Sequence, residues 1–166
     1  MEDQKQYPMG IKQVGSSLSV ATYMVRHEDI NGYNRLFGGR LMEWIDDVAG
    51  IAARRHAGIG ITTAAIDTLE FKAPAWLNDI VVIEAWVTHV GKTSMEVRAD
   101  SYVEDPATGE RTMINHAYLT EVCVDADGHP VPVPWGLEAT TDEQHKECIA
   151  ARRRAEMRKV RRMEGF

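Results

Sequence analysis

Four long runs of β-favouring residues follow one another after residue 60, and they constrain the fold more than any other feature. Each run is rich in Val, Ile, Thr and aromatic residues, and turn chemistry such as Gly91-Lys92-Thr93 separates one run from the next. Short turns between successive long strands predict an antiparallel meander. The predicted strands are residues 62–71, 79–90, 94–103 and 112–124.

A single helix precedes this meander. Apolar side chains at positions 41, 44, 45, 48, 51 and 52 have the spacing of one helix face, and the pattern, which runs over residues 40–56, stops at Gly58 and Gly60. A further strand predicted at residues 16–25 gives the order βαββββ. A sheet with one apolar face must cover that face, and a single helix does so most economically. The sequence therefore predicts an α+β fold.

The chain changes character after the last of these strands. Pro130, Pro132 and Pro134 alternate with valines, and such a segment cannot pair fully within a sheet, so we expect it to leave the sheet. Residues 141–162 favour a helix with a thin apolar stripe, which predicts an exposed or partner-packed helix that is partly frayed. We divide the chain into a core domain, residues 1–136, and a basic helical extension, residues 137–166.

The charge of the chain limits its partners. A net charge of −6 argues against general affinity for nucleic acid, which depends on neutralising phosphates. Residues 138–166 nevertheless hold eight Lys and Arg against six Asp and Glu, which leaves room for a local anion site.

Three features of the sequence bear on where the protein acts. Cys123 and Cys148 lie far apart in the sequence. The first ten residues lack a signal-peptide pattern, and no apolar run is long enough to span a membrane. We therefore expect a cytoplasmic protein.

Two adjacent aspartates on the predicted helix differ in their surroundings. On a helical wheel with Leu41 at zero, Asp47 falls at about 240° in the polar face, and we interpret it as a solvated charge. Asp46 falls at about 140°, at the edge of the apolar arc beside Ala49. A carboxylate in that position suits a general base or a nucleophile, although aspartates at a surface edge are also common.

The residues before the helix supply the other half of a candidate site. Gly38 and Gly39 would let a ligand approach the unpaired N–H groups of the first turn, as in an oxyanion hole. The alternative is a tight turn that needs glycine for a positive φ, and the sequence leaves both open. Asn31 is able to orient a water or a substrate carbonyl, but Asn before Gly32 is most often plain turn chemistry.

Residues 31–46, NGYNRLFGGRLMEWID, resemble the signature of the hot dog acyl-CoA thioesterases. In that signature an Asn and a Phe-Gly-Gly precede a long helix, and an Asp follows two turns into it. Residues 71–74 and 91–94 resemble family segments as well, so the likeness covers residues 16–125. Position 34 is commonly glycine in the family and is Asn here, and the six-residue offset from Phe37 favours Asn31 as the asparagine that faces the substrate.

The resemblance implies a specific fold and assembly, the hot dog fold. A curved antiparallel sheet wraps the helix, two protomers join their sheets, and the active site lies across their interface, with a dimer or a trimer of dimers as the assembly. Asn31 would come from one protomer and Asp46 from the other, and the N–H of Gly39 would polarise the thioester carbonyl. The substrate and its CoA moiety would contact the remaining predicted site residues, namely Phe37, Gly38, Gly91, Lys92, Thr93 and Ser94.

The resemblance also implies an activity, the hydrolysis of acyl-CoA thioesters to free CoA and a carboxylic acid, with Asp46 as general base or nucleophile. Thiolate is a good leaving group and the six histidines show no metal-ligand spacing, so we expect neither cofactor nor metal. Two alternatives remain, an acyl-CoA sensor without turnover and a hot dog dehydratase that uses a His and a carboxylate. The basic side chains within residues 152–154 and 158–162 allow two interpretations. They contact the phosphates of CoA, or they form a solvated face of the helix.

Overall fold

The computed structural model describes residues 8–165 and contains a long helix wrapped by an antiparallel sheet, which is the predicted α+β arrangement. No helix in this part of the chain is long and apolar enough to cross a membrane. The elements in chain order are β1 (Gly10–Gln13), a 3-10 turn (Val14–Ser17), β2 (Ser19–Met24), a second 3-10 turn (His27–Asp29), α1 (Gly38–Ala57), β3 (Gly60–Phe71), β4 (Ile80–Val90), β5 (Ser94–Glu104), β6 (Arg111–Val124), β7 (Trp135–Glu138) and α2 (Asp142–Glu164).

The main sheet has the strand order β2-β4-β5-β6-β3, with every neighbouring pair antiparallel. The predicted meander is therefore correct for β4 to β6 and wrong for β3, which pairs with β6 at the far edge. The segment between β3 and β4 is long enough to cross the end of the sheet. It is fixed there by hydrogen bonds from Leu36 N to Ala75 O (2.8 Å) and from Asn78 N to Val25 O (2.9 Å).

The strand predicted at residues 16–25 begins three residues later, because a 3-10 turn precedes it. Ser17 Oγ donates to Val14 O (2.8 Å) and accepts from Val87 N (2.9 Å), so the turn binds the edge of β4. The sequence analysis missed β1 and β7, which pair in parallel as a small second sheet. The predicted domain boundary, between residues 136 and 137, falls within β7.

Helix α1 buries most of its predicted apolar face against the sheet, but Ile51, which was predicted to belong to that face, is exposed. It ends at Gly58, which has φ 72° and donates its N–H to Arg54 O (2.8 Å). The left-handed conformation at Gly58 favours glycine, which explains why the helical pattern stops there. The buried side chains of α1 are Leu41, Trp44, Ile45, Val48, Ala49, Ala52, Ala53, His56 and Ala57.

The proline-rich segment leaves the sheet, as predicted, and binds back to the end of β6 and to the turn between β4 and β5. Val131 N donates to Cys123 O (2.9 Å) and Val133 N donates to Lys92 O (2.9 Å). Because alternate residues are prolines without an N–H, only the intervening valines are able to donate in this way. The segment therefore fixes the turn between β4 and β5 in place.

Helix α2 forms where the sequence predicts it, and most of its residues are exposed, as expected. It extends to Glu164, and ion pairs rather than an apolar stripe hold it on the outer face of the sheet, with Ala151 as its fully buried residue. Arg154 and Arg158 bind the buried carboxylate of Glu96 at 2.8 and 2.6 Å. These two arginines are thus committed to ion pairs within the chain, a pairing that the sequence of α2 alone does not reveal.

Candidate active site

Asp46 lies half-buried on the face of α1 that meets β3, whereas Asp47 is exposed. The hydroxyl of Thr63, on β3, donates a hydrogen bond to Asp46 Oδ1 at 2.8 Å. A hydrogen bond to the ionised form of a carboxylate favours that form and fixes its orientation. The two adjacent aspartates therefore differ as the helical wheel predicts, and Asp46 has a partner that the sequence analysis did not identify.

Glu121 is the second residue that sequence reasoning missed. It lies on β6 opposite Thr63, its side chain is fully buried, and Thr63 Oγ is 3.2 Å from each of its carboxylate oxygens. Burial raises the pKa of Glu121 to about 7, against the lowering effect of the Thr63 hydrogen bond, and the nearby charge of Asp46 adds to the increase. A signal for this residue was available, because Glu121 continues the inward-facing alternation of Ala117, Leu119 and Cys123.

A groove of about 460 Å³ opens above Asp46. One side of the groove is α1, which contributes Asp46, Asp47, Gly50, Ile51 and Arg54, and the other side is the beginning of β3, residues 60–63. The aspartate is therefore reachable by a small molecule on one side and held by Thr63 on the other. This combination fits a carboxylate that removes a proton from water.

The N-terminus of α1 leaves N–H groups without helical partners. Phe37 is the N-cap residue and offers no side-chain acceptor, and its carbonyl takes hydrogen bonds from the N–H groups of Arg40 and Leu41. Within residues 8–165 no hydrogen bond from the N–H of Gly39 is found, so this donor is available to a ligand. Such a donor at the positive end of a helix suits an oxyanion.

The two glycines are needed for space and not for a positive φ, so the tight-turn interpretation is wrong. Neither Gly38 nor Gly39 has a positive φ. A Cβ at position 39 would lie 2.5 Å from the ring of Phe37, and one at position 38 would lie 3.1 Å from the ring of Phe71. The glycines let two aromatic rings pack against the beginning of the helix, beside the free N–H.

Asn31 lies in the exposed loop before α1. Its Oδ1 accepts hydrogen bonds from Tyr33 N (2.9 Å) and Arg35 N (3.3 Å), so the carbonyl of the side chain shapes the loop and the Nδ2 group is left as a donor. Asn34 has φ 59°, a left-handed conformation that glycine also favours, which gives it a backbone role. Asn31 thus keeps a free side-chain donor while Asn34 serves the backbone, which agrees with the choice of Asn31 rather than Asn34 as the asparagine that faces the substrate.

One chain does not bring all of the predicted residues together. Asn31 and Gly38 line a groove of about 380 Å³ beside Phe71 and Pro74, which is separate from the groove above Asp46. Gly39 and Asp46 are seven residues apart on one helix, which corresponds to about 10 Å along its axis. A single thioester carbonyl cannot contact both groups of one chain.

The turn predicted to lie near CoA borders a third groove, of about 280 Å³. Gly91, Lys92, Thr93 and Ser94 form one wall, and the last turns of α2 form the other with Lys159 and Arg162. Burial lowers the pKa of the neighbouring His89, and the charges of Arg158, Arg152 and Lys159 contribute to the decrease, against the opposite effect of Glu96. Lys92, Lys159 and Arg162 give the lining of the groove positive charge, which suits phosphate groups.

One group of side chains has the spacing of a metal site, at the tip of the turn after β6. Ligand atoms of Asp125, Asp127 and His129 lie within 4.8 Å of one another, and all three residues are exposed. Asp125 Oδ1 already accepts hydrogen bonds from the backbone N–H groups of Asp127 (3.0 Å) and His129 (2.8 Å). Stabilisation of the turn accounts for this carboxylate.

Comparison with known proteins identifies the family. Residues 33–110 match the model of the thioesterase superfamily. The chain is 43% identical over 124 residues to YkhA of Bacillus subtilis, named an uncharacterized acyl-CoA thioester hydrolase, and the match covers 75% of this chain and 72% of that protein. This chain belongs to the hot dog acyl-CoA thioesterase family. It is also 34% identical to mouse acetyl-coenzyme A thioesterase, covering 77% of this chain but 23% of that longer protein.

Solved structures of thioesterases confirm the predicted hot dog fold. An acyl-CoA hydrolase from Staphylococcus aureus, in complex with butyryl-CoA, CoA and CoA disulfide, is 34% identical with a TM-score of 0.88, covering 93% of this chain and 94% of that one. A hexameric acyl-CoA thioesterase is 37% identical with a TM-score of 0.87, covering 92% of this chain and 97% of that one. The likeness extends over almost the whole chain in both cases.

Proposed function

We propose that this protein hydrolyses acyl-CoA thioesters at a site shared by two copies of the chain, with Asp46 as the group that activates water. The observation that carries the proposal is the half-buried Asp46, held by Thr63 at 2.8 Å beside an open groove. Asn31 and the N–H of Gly39 contact the carbonyl from the other copy. This division follows from the separate grooves and from the length of helix between Gly39 and Asp46.

The chemistry needs a nucleophile and stabilisation of negative charge. Asp46 takes a proton from water as the oxygen of that water bonds to the carbonyl carbon, and a positioned base of this kind contributes roughly a hundredfold to ten-thousandfold. Negative charge develops on the carbonyl oxygen, which accepts hydrogen bonds from Gly39 N–H and Asn31 Nδ2. One well-aimed donor contributes about 3 kcal/mol. The carbon–sulfur bond then breaks, and CoA leaves as a thiolate without help from a cofactor or metal. The proton held by Asp46 passes to the thiolate or to solvent, which restores the carboxylate.

The CoA portion lies along the basic groove in this proposal. Lys92 and the turn at residues 91–94 face Lys159 and Arg162 across it. Phosphates bind well to such a combination of ammonium and guanidinium groups. Phe37, whose ring is 57% exposed, offers an apolar surface at the carbonyl end of the substrate.

Relatives support these roles. In the Staphylococcus aureus hydrolase an asparagine, an aspartate and a threonine have been replaced by alanine, and the positions named for them lie 15 and 17 residues apart. Asn31, Asp46 and Thr63 have the same spacing here. Hexameric relatives support self-association, and we propose a dimer or a trimer of dimers. We also propose that the protein acts in the cytoplasm, where its substrate class is found.

The decisive experiment compares Asp46→Asn with Asp47→Asn, a matched control one residue away. Release of free thiol from acyl-CoAs of graded chain length is measured for both variants and the wild type. We expect Asp46→Asn to lose at least about a hundredfold in kcat and Asp47→Asn to keep its activity. Loss in Asp47→Asn alone would refute the assignment. Saturable binding of acyl-CoA by the wild type without thiol release would favour the sensor over the enzyme.

A further inference from the structure

Glu121 is a buried acid for which the proposed chemistry has no use so far. Its side chain is 0% exposed, and it lies on the inner face of β6 between Thr63 of β3 and Met95 of β5. Because the carboxyl group is already buried within one chain, association with another copy cannot expose it. An acid in such a place is retained either for structure or for the chemistry of its neighbours.

The hydroxyl of Thr63 lies between two carboxyl groups and has only one hydrogen. It is 2.8 Å from Asp46 Oδ1 and 3.2 Å from both oxygens of Glu121. If both carboxyl groups were ionised, they would compete for that hydrogen, and one would be left as a buried charge without a donor. If Glu121 carries a proton, it donates to Thr63 Oγ, and the hydrogen of Thr63 is committed to Asp46.

We propose that Glu121 is a positioning residue that works as a neutral carboxylic acid and, through Thr63, orients Asp46 toward the attacking water. The proposal rests on the role of Asp46 given above. The chain of donors runs from Glu121 through Thr63 to Asp46, and each of the two donors in it has one acceptor. Glu121 keeps its proton throughout the reaction, so the reactants and products of hydrolysis are the same with this residue as without it.

The burial that raises the pKa of Glu121 to about 7 supports this role, because the acid is then substantially protonated at neutral pH. Asp46, on α1, is the charged group that faces it among the described residues, while β3 and β5 contribute the neutral side chains of Thr63 and Met95. Deprotonation adds a second negative charge and withdraws the hydrogen of Thr63 from Asp46. We therefore expect activity to fall as the pH rises through the pKa of Glu121.

Two substitutions separate this role from a structural one. In Glu121→Gln the amide nitrogen reaches Thr63 Oγ from either oxygen position, since both lie at 3.2 Å, and it donates at every pH. In Glu121→Ala no donor remains. We expect Glu121→Ala to lose roughly tenfold to a hundredfold in kcat, the size of one hydrogen bond to a charged group. Glu121→Gln should recover most of that loss and should lack the fall in kcat above pH 7.

The control is Glu110→Gln, at an exposed position in the turn between β5 and β6, and it should keep the wild-type pH profile. Thermal unfolding of all variants identifies any that fail to fold. If Glu121→Gln is well folded and as inactive as Asp46→Asn, Glu121 acts as a carboxylate and the proposal is wrong. It is equally wrong if the wild type and Glu121→Gln share one pH profile.

A second measurement does not depend on turnover. Infrared difference spectra of the wild type and Glu121→Gln, recorded on either side of pH 7, report the C=O band of a buried carboxylic acid. We expect a band in the wild type that is absent from Glu121→Gln and disappears as the pH rises. Its absence at acidic pH would overturn the neutral acid at position 121. Absence of thioester hydrolysis by the wild type would instead refute the proposed function.

Discussion

The attachment of α2 to the sheet allows a quantitative prediction about Glu96. The side chain is 0% exposed, and its carboxylate accepts hydrogen bonds from Thr88 Oγ (2.7 Å), Arg154 (2.8 Å) and Arg158 (2.6 Å). Breaking a buried ion pair by removing one partner costs about 3–5 kcal/mol in the free energy of unfolding. The substitution Glu96→Gln removes the charge but keeps one oxygen that accepts hydrogen bonds. The expected loss in the free energy of unfolding therefore lies in the lower part of that range.

Two features of the structure reduce the expected loss further. Arg158 retains Asp67 at 3.4 Å, and Arg154, which is 27% exposed, retains Glu147 and contact with water. We therefore expect Glu96→Gln to lower the free energy of unfolding by about 2–3 kcal/mol. With a free energy of unfolding that falls by roughly 2 kcal/mol per M of urea, the midpoint of unfolding should fall by about 1–1.5 M.

Urea unfolding followed by tryptophan fluorescence measures this shift, at one protomer concentration because association changes apparent stability. Glu156→Gln is the matched control, since Glu156 lies on the exposed face of the same helix and its loss should change stability by less than about 0.5 kcal/mol. If Glu96→Gln loses no more than Glu156→Gln, the ion pairs do not hold α2 on the sheet and the account of that helix fails.

Two further predictions concern the substrate. Arg162→Glu should raise KM for acyl-CoA several-fold without changing kcat, because it removes a positive charge from the basic groove. With a thioester of N-acetylcysteamine, which lacks phosphates, the same variant should show no change in KM. Arg153→Glu should likewise leave KM for acyl-CoA unchanged. Asn31→Asp keeps the acceptor for the N–H groups of Tyr33 and Arg35 but loses the Nδ2 donor, so kcat should fall by roughly tenfold or more with an unchanged melting temperature. Activity retained in Asn31→Asp would contradict a donor role for this residue.

The features predicted correctly from the sequence are those that short-range patterns determine. The apolar spacing and Gly58 gave α1 nearly to the residue, and the helical wheel separated Asp46 from Asp47. Strands β4 to β6 were found because each is a run of β-favouring residues bounded by turn chemistry. These patterns depend only on neighbours along the chain, which is why one sequence suffices to interpret them.

The features that were missed depend on residues far apart in the sequence. Strand β3 carries register shifts on either side of residues 65 and 66, so its alternation does not show directly which residues face inward. Thr63 and Glu121 meet only after β3 pairs with β6. The ion pairs of α2 likewise join Arg154 and Arg158 to a carboxylate on β5, and the sequence analysis did not identify this partner.

The separation of Asn31 and Asp46 into different grooves has a consequence for gene duplication. In a pair of identical copies, each of the two proposed sites takes its asparagine from one chain and its aspartate from the other. If two such copies became joined in one polypeptide, each half would be free to lose a different one of these residues. One site would then decay completely and the other would stay whole, so a fused descendant could devote its second cleft to another ligand.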